Sequence, residues 1–206
     1  MTLGIDRQKT ALLVMDCQND VVHQDGKIAV GFGFAPMIEK KGTLKQIRTV
    51  LDAARAAGIP VIYIEIAMDR LRPEELPRRG PFFLNTPALA TVALLKGTWG
   101  AAIHEEVKPA PGEPVIGKWI VSAFSRSKLD ETLRQKGITD LILTGVATNM
   151  VVESTARDAT ERGYSLITVE DAVTTFSEEA HQAAIAMLRM FGDVASASEV
   201  AAALRS

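Results

Sequence analysis

Cysteine, histidine and aromatic residues are all scarce in this chain of 206 residues: one Cys, three His, and 5% Phe, Trp and Tyr. A lone cysteine, Cys17, cannot close an internal disulfide or build a cysteine-based zinc site. Few aromatics argue against a stacking platform for nucleic-acid bases. Charge of one sign is not concentrated either. The formal net charge is −2 and no basic run is present, which argues against nucleic acid or an anionic membrane as partner. No apolar stretch reaches the length of a membrane span. The opening residues, MTLGIDRQKT, hold no apolar signal core. Together these absences point to a reducing, cytoplasmic setting and a small-molecule partner.

What is present is ordinary for a globular chain: 47% hydrophobic and 23% charged residues, enough for one α/β domain over residues 1–206. Ala11–Met15 (ALLVM) is a short apolar run that reads as a fully buried strand. Residues 17–41 lack periodicity and contain Gly26, Gly31, Gly33 and Pro36, so they read as one long loop of the kind that carries function. Helical spacing over Gly42–Ala57 stops at Gly58. Val61–Ile66 is a second strand, Asp69–Gly80 an irregular charged lobe, and 81–100 mixed. Val115–Lys118 is a third strand, Ser127–Lys136 a helix, and Leu141–Gly145 a fourth strand. A helix over Asn149–Arg162 follows, then a strand over Ser165–Glu170 reaching Asp171. The chain closes with a helix over Glu178–Met190, a strand at 193–196 and a helix over Ser198–Leu204. Alternating strands and helices predict a mostly parallel central sheet in a three-layer αβα, Rossmann-like domain.

Ligands of such sheets bind beyond the carboxyl ends of the strands. Asp16, Lys118, the loop Val146–Asn149 and Asp171 all fall there. An aspartate and a lysine in one partly dry crevice hold each other's charge. On spacing alone a structural ion pair explains them as well as catalysis does.

Three segments carry a resemblance. LLVMDCQNDV contains an Asp-x-Gln-Asn motif, IGKWIVSAF ends a strand on a lysine, and TGVATNMVVESTARDA joins a strand to a helix through a tight loop. All three, with KGTWGAAI, RGYSLITVEDA and FGDVASASEV, resemble the isochorismatase-like (cysteine hydrolase) superfamily, in order and along nearly the whole chain. That superfamily includes nicotinamidases, N-carbamoylsarcosine and ureidoacrylate amidohydrolases, and isochorismatases. The resemblance implies a general base at Asp16 and its partner cation at Lys118. It implies an oxyanion hole of backbone N–H groups near Val151 and a cis peptide at Val146–Ala147. It also places Gln18, Met150 and Phe124 with Val146 and Ala147 around the oxyanion and substrate. The chain is expected to form a homo-oligomer and to need no cofactor.

One position departs from the pattern T-N-x-C-V-E-S-T-A. Here the run is Thr148-Asn149-Met150-Val151-Val152-Glu153, so the seat of the nucleophilic cysteine holds Val151. Valine cannot form a thioester. Cys17 is no substitute, because neighbouring strand residues face opposite ways and it is expected in the packing. Three readings follow: a hydrolase that works without a thiol through Asp16, Lys118 and water, as isochorismatases do on a vinyl ether; a C–N amidohydrolase whose cysteine has been replaced, by nature or by engineering; or a binding or scaffold protein that keeps the fold.

The nicotinamidase metal histidines have no counterpart in IEIAMDRLRP, so no metal is expected. His23 reads as a solvated loop residue and His181 as a surface residue of its helix. Trp119 reads as core and Phe124 as a wall of the pocket. Phe32, Phe34 and Met37 suggest a hydrophobic lid or subunit contact. Arg70, Arg72, Arg78 and Arg79 suggest a solvated face, one of which would be available to an anionic substrate group.

Overall fold

A computed structural model describes residues 3–205. Met1, Thr2 and Ser206, which the single-domain expectation also spans, lie outside the described residues. Among the described residues, six strands form one parallel sheet in the order β3-β2-β1-β4-β5-β6. They are β1 (Thr10–Met15), β2 (Val61–Ile66), β3 (Val115–Lys118), β4 (Asp140–Val146), β5 (Ser165–Thr174) and β6 (Asp193–Ala195). None of the described helices is long and apolar enough to cross a membrane.

The three-layer expectation holds for a visible reason. In β1, Ala11, Leu13 and Met15 pack into one apolar cluster while Leu12 and Val14 pack into the other. Both faces are therefore covered, and the strand reads as a continuous apolar run. Helices α4 (Thr43–Ala56) and α9 (Ala197–Arg205) lie on the Leu12 side, through Ile47, Leu51, Val200 and Leu204. Helices α6 (Leu129–Gln135), α7 (Glu153–Glu161) and α8 (Glu178–Leu188) lie on the other, through Leu133, Ala156 and Ile185.

The stretch 17–41 is not a structureless loop. It folds into three short helices, α1 (Asn19–Val22), α2 (Lys27–Gly31) and α3 (Ala35–Lys41). Each is too short to show a helical period in sequence. Two of the residues that suggested a loop are their punctuation: Pro36 sits in the first turn of α3, and Gly33 takes a left-handed φ of 76° before it; Gly42, expected inside the next helix, takes 60° at the break between α3 and α4. Part of the mixed region is likewise helical, as α5 (Pro81–Leu89). β5 runs four residues further than Glu170, to Thr174. The helix expected from Asn149 begins as a wide π-type turn over Thr148–Val152, and α7 starts at Glu153.

β1 lies between β2 and β4, where the strand order reverses direction. A crevice opens there in sheets of this kind. Close approach of the strands is enforced at Gly145: its φ is 128°, and a Cβ would stand 2.1 Å from the carbonyl oxygen of Met15. Only glycine fits.

Candidate functional site

Asp16 follows the last residue of β1 and adopts φ of 56°. This left-handed turn is one that aspartate tolerates better than most residues. It breaks the strand's alternation, so Cys17 packs on the same side as Leu12 and Val14, fully buried. Burial pushes the Cys17 thiol well above its ordinary range. The next side chains brace the crevice. Gln18 Nε2 donates to the carbonyls of Ile66 and Ala101, and its Oε1 accepts from Ile66 N at 2.8 Å. Asn19 Nδ2 donates to Trp99 O, and Asp20 accepts from the backbone N–H groups of Lys27 and Leu94.

Lys118 ends β3, opposite Ile66 of β2. Its ammonium reaches past the end of β2 to lie 3.0 Å from Asp16 Oδ2 and donates at 2.6 Å to the carbonyl of Ile120. The Lys118 and Asp16 side chains are 1% and 5% exposed, so this pair is dry. Asp16 Oδ1 finds no hydrogen-bond partner among the described residues. Burial raises the Asp16 pKa, Lys118 opposes the rise and Glu65 adds to it, leaving the carboxyl at about 6.

β4 ends in a cis peptide between Val146 and Ala147. Ala147 O accepts from Met150 N and Val152 N, which folds the wide turn back on itself. The turn is held from below by His181. This residue was expected at the surface; instead it is 2% exposed and shares a 3.0 Å hydrogen bond with Thr148 Oγ1. Its place was legible, because His181, Ala184, Ile185 and Leu188 follow the i, i+3, i+4, i+7 stripe of a buried helix face. Thr175 Oγ1 donates to Asn149 Oδ1 at 2.7 Å and pins the other side.

These elements enclose a cavity of about 450 Å³. Asp16, Lys118, Val146, Ala147, Met150 and Val151 all line it. Phe32 and Phe34 of the α2–α3 segment, stacked at 5.7 Å, form part of its wall, and Phe82, Asn85, Thr86 and Leu89 of α5 form another. Val151 is 1% exposed and lines the same cavity as the Asp16–Lys118 pair.

Several expected residues lie elsewhere. Phe124 stacks on Tyr164 in the α6–α7 side of the core and does not line the cavity. Gln18 spends its amide on the backbone bracing described above. Asp171 caps α9 by accepting from Ala197 N at 2.7 Å. His23 and His104 approach to 5.7 Å between ring centroids. The described residues hold no group of three or more His, Cys, Asp and Glu side chains placed to share a metal ion. None of Arg70, Arg72, Arg78 and Arg79 lines the cavity; Arg70 donates to Gly117 O.

Trp119 is the converse case. Expected in the core, it lines the cavity instead. The Arg126 guanidinium lies over its ring, 3.8 Å from the centroid, and Arg126 pairs with Glu75 of the charged lobe. Trp119 Nε1 is buried and has no partner among the described residues. Strand alternation does not predict this, because β3 ends one residue earlier. No single α5 residue could be picked out from the sequence, since that region carries no readable motif.

Comparison with known proteins follows the same outline. Residues 10–199 match the model of the Isochorismatase domain. The chain is 37% identical over 174 residues to the ureidoacrylate amidohydrolase RutB of Rhizobium rhizogenes, covering 80% of this chain and 70% of that protein. It is 36% identical over 203 residues to the RutB of Methylobacterium radiotolerans, covering 92% and 76%. Among solved structures it resembles the N-carbamoylsarcosine amidase of Thermoplasma acidophilum, with a TM-score of 0.71, 28% identity, and coverage of 92% and 96%. It shares the fold of a cysteine hydrolase from Pseudomonas syringae pv. phaseolicola, with a TM-score of 0.79 at 22% identity, covering 98% and 94%.

Proposed function

The chain belongs to the isochorismatase family, and from that premise we propose that it hydrolyses a small molecule without a thiol, through Asp16, Lys118 and water. The observation that carries this reading is the state of Asp16. One oxygen is tied to Lys118, the other has no partner, and the carboxyl sits at about pKa 6 beside an apolar cavity. A carboxyl so tuned is protonated often enough near neutral pH to act as a general acid.

The bond suited to it is a vinyl ether. Asp16 gives its proton to the terminal vinyl carbon, and the π electrons shift to form an oxocarbenium ion. The carboxylate left behind faces that cation and stabilises it. Water adds to the oxocarbenium carbon and returns a proton to Asp16. The resulting hemiacetal collapses to an alcohol and a carbonyl compound, so one water is consumed for each ether cleaved. Lys118 fixes the carboxyl and keeps its pKa from rising further. Backbone N–H groups of the turn after β4 orient the substrate oxygen. Val151 contributes shape and dryness rather than a nucleophile.

The test is release of acetaldehyde from benzyl vinyl ether by the purified chain, by Cys17→Ala and by Asp16→Asn. Activity that survives in Cys17→Ala and falls by about 100-fold or more in Asp16→Asn supports the reading. Activity that Asp16→Asn leaves intact overturns it.

A second reading is supported by the names of the relatives, which are C–N amidohydrolases. In it, ionised Asp16 acts as a base and draws a proton from water that attacks a carbonyl. Acid and base roles give opposite pH limbs about the same pKa.

A further inference from the structure

Resting on the reading that this cavity holds the substrate, we propose that Asn85 of α5 sets its specificity. Asn85 pairs with an uncharged substrate group that offers a hydrogen-bond acceptor and donor side by side, such as a carboxamide. The argument starts from the helix. Phe82, Asn85, Thr86 and Leu89 all line the cavity, and their i, i+3, i+4, i+7 spacing makes them one face of α5. Leu84, the neighbour of Asn85, is 61% exposed and lies outside that lining. The helix thus turns an asparagine toward an apolar cavity and a leucine toward water, the reverse of what packing favours. Patterning broken in this way marks functional positions.

Polar partners are scarce on the lining. Away from the Asp16–Lys118 pair, its polar side chains among the described residues are Asn85, Thr86 and Trp119. The Thr86 hydroxyl is committed to Phe82 O at 2.7 Å, and Trp119 Nε1 is buried out of reach. Asn85 is exposed, and its amide makes no hydrogen bond among the described residues. It is therefore the side chain that an entering ligand can reach and engage.

The amide fixes the class of group it reads. Its carbonyl accepts and its NH2 donates. A carboxamide answers both at once. An ammonium brings donors alone, a carboxylate acceptors alone, and a hydrocarbon strips the amide of water without replacing it. Asn85 carries no charge, so the contact is the same whether Asp16 is protonated or ionised. The cavity, about 450 Å³, admits a substituted ring.

The experiment uses benzyl vinyl ethers bearing a carboxamide at the meta or para position, each paired with an isopropyl compound of matching shape. The vinyl ethers report turnover by acetaldehyde release. The corresponding saturated ethyl ethers, which have no vinyl group to protonate, report binding by calorimetry. The variant is Asn85→Leu, a good helix former at an exposed helical position, and thermal denaturation checks that it keeps the fold. In at least one pair, the parent chain's preference for carboxamide over isopropyl should fall by about fivefold or more in Asn85→Leu, in Kd and in kcat/KM. A merely structural role would move both members of a pair together. A preference unchanged in both pairs overturns the inference, and acetaldehyde release from any of the vinyl ethers then leaves the hydrolase reading standing. A shifted binding preference without any acetaldehyde release supports the inference and overturns the vinyl-ether reading. Neither binding nor turnover of any compound overturns both.

Discussion

Lys118 Nζ and Asp16 Oδ2 meet at 3.0 Å although their strands are not neighbours. β2 lies between them, and the lysine reaches across its carboxyl end. Both charges are out of water, so their attraction is set against a large desolvation cost. The balance leaves Asp16 with a pKa of about 6, above its ordinary 3.8, and it leaves one carboxyl oxygen uncommitted. A pair kept only for stability would more commonly have all its oxygens satisfied.

The pH profile follows from that pKa. If Asp16 is the acid, kcat/KM on a vinyl ether is level below pH 6 and falls about tenfold per unit above it. If Asp16 is the base, the rate on a C–N substrate rises through the same pH. The sign for folding is fixed separately. The group is more basic in the folded chain than in the unfolded one, so its contribution to stability is full below about pH 4 and is lost as pH rises through about 6. Urea denaturation of the parent chain and Asp16→Asn across this window measures it.

Removing the lysine moves both readouts. Lys118 lowers the Asp16 pKa by its charge and its hydrogen bond. Lys118→Met therefore shifts the acid limb of the rate profile to higher pH, which a merely structural loss would not do. It also leaves a buried carboxyl without its partner and costs about 3 kcal/mol or more at pH 7. Asp16→Leu combined with Lys118→Met removes both groups and should recover a large part of that loss. Urea midpoints of the two variants at pH 7 check the comparison.

The sheet and the Asp16–Lys118 pair were legible because both follow from local rules. Buried parallel strands read as unbroken apolar runs, and polar residues at their carboxyl ends mark the crevice. The turn Val146–Val151 was legible through its strand-to-helix pattern and the family resemblance. Less legible were the features set by tertiary contact. The three helices of 19–41 are too short for periodicity to register. Trp119 lies beyond the end of its strand, where alternation stops applying, and the Arg126 guanidinium over its ring comes from a later turn. Phe124 looked like a pocket residue from its segment, yet the turn carrying it faces Tyr164. His181 differs from these, since its place on the buried α8 stripe is present in the spacing, although histidine is a polar residue.

Val151 gives a direct test of the missing thiol. Cys17 is buried and its thiol pKa is pushed up, so the native parent chain should resist iodoacetamide at pH 8 and react only when unfolded. Val151→Cys places a second thiol on the wall of the cavity that Lys118 also lines. In the native state position 151 should label faster than Cys17, which lies outside that lining, as read by mass spectrometry. It should also hydrolyse a C–N substrate faster than the parent chain does. Labelling without any gain in C–N hydrolysis would argue against an amidohydrolase arrangement of the turn.

His181 supplies the last prediction. It is buried under the turn after β4, and burial lowers its pKa, with the Lys41 charge adding to the effect and Glu178 opposing it. Lys41 itself pairs with Glu178 at 3.1 Å. The histidine is thus neutral in the folded chain over a wider pH range than in the unfolded chain. Its contribution to stability is present above about pH 6.5 and is lost as pH falls through the lowered value. His181→Phe keeps a ring in the α8 stripe but removes the bond to Thr148. At pH 7.5 this variant should be less stable by about 1–3 kcal/mol, because a buried hydroxyl loses its partner. As pH falls below 6.5 the gap between variant and parent should narrow, since only the parent carries the protonation cost. The same substitution should lower kcat more than it raises KM, because in the proposed mechanism the turn holding Thr148 orients the substrate and the apolar walls bind it. Denaturation curves at several pH values check the first expectation, and steady-state kinetics at pH 7 check the second.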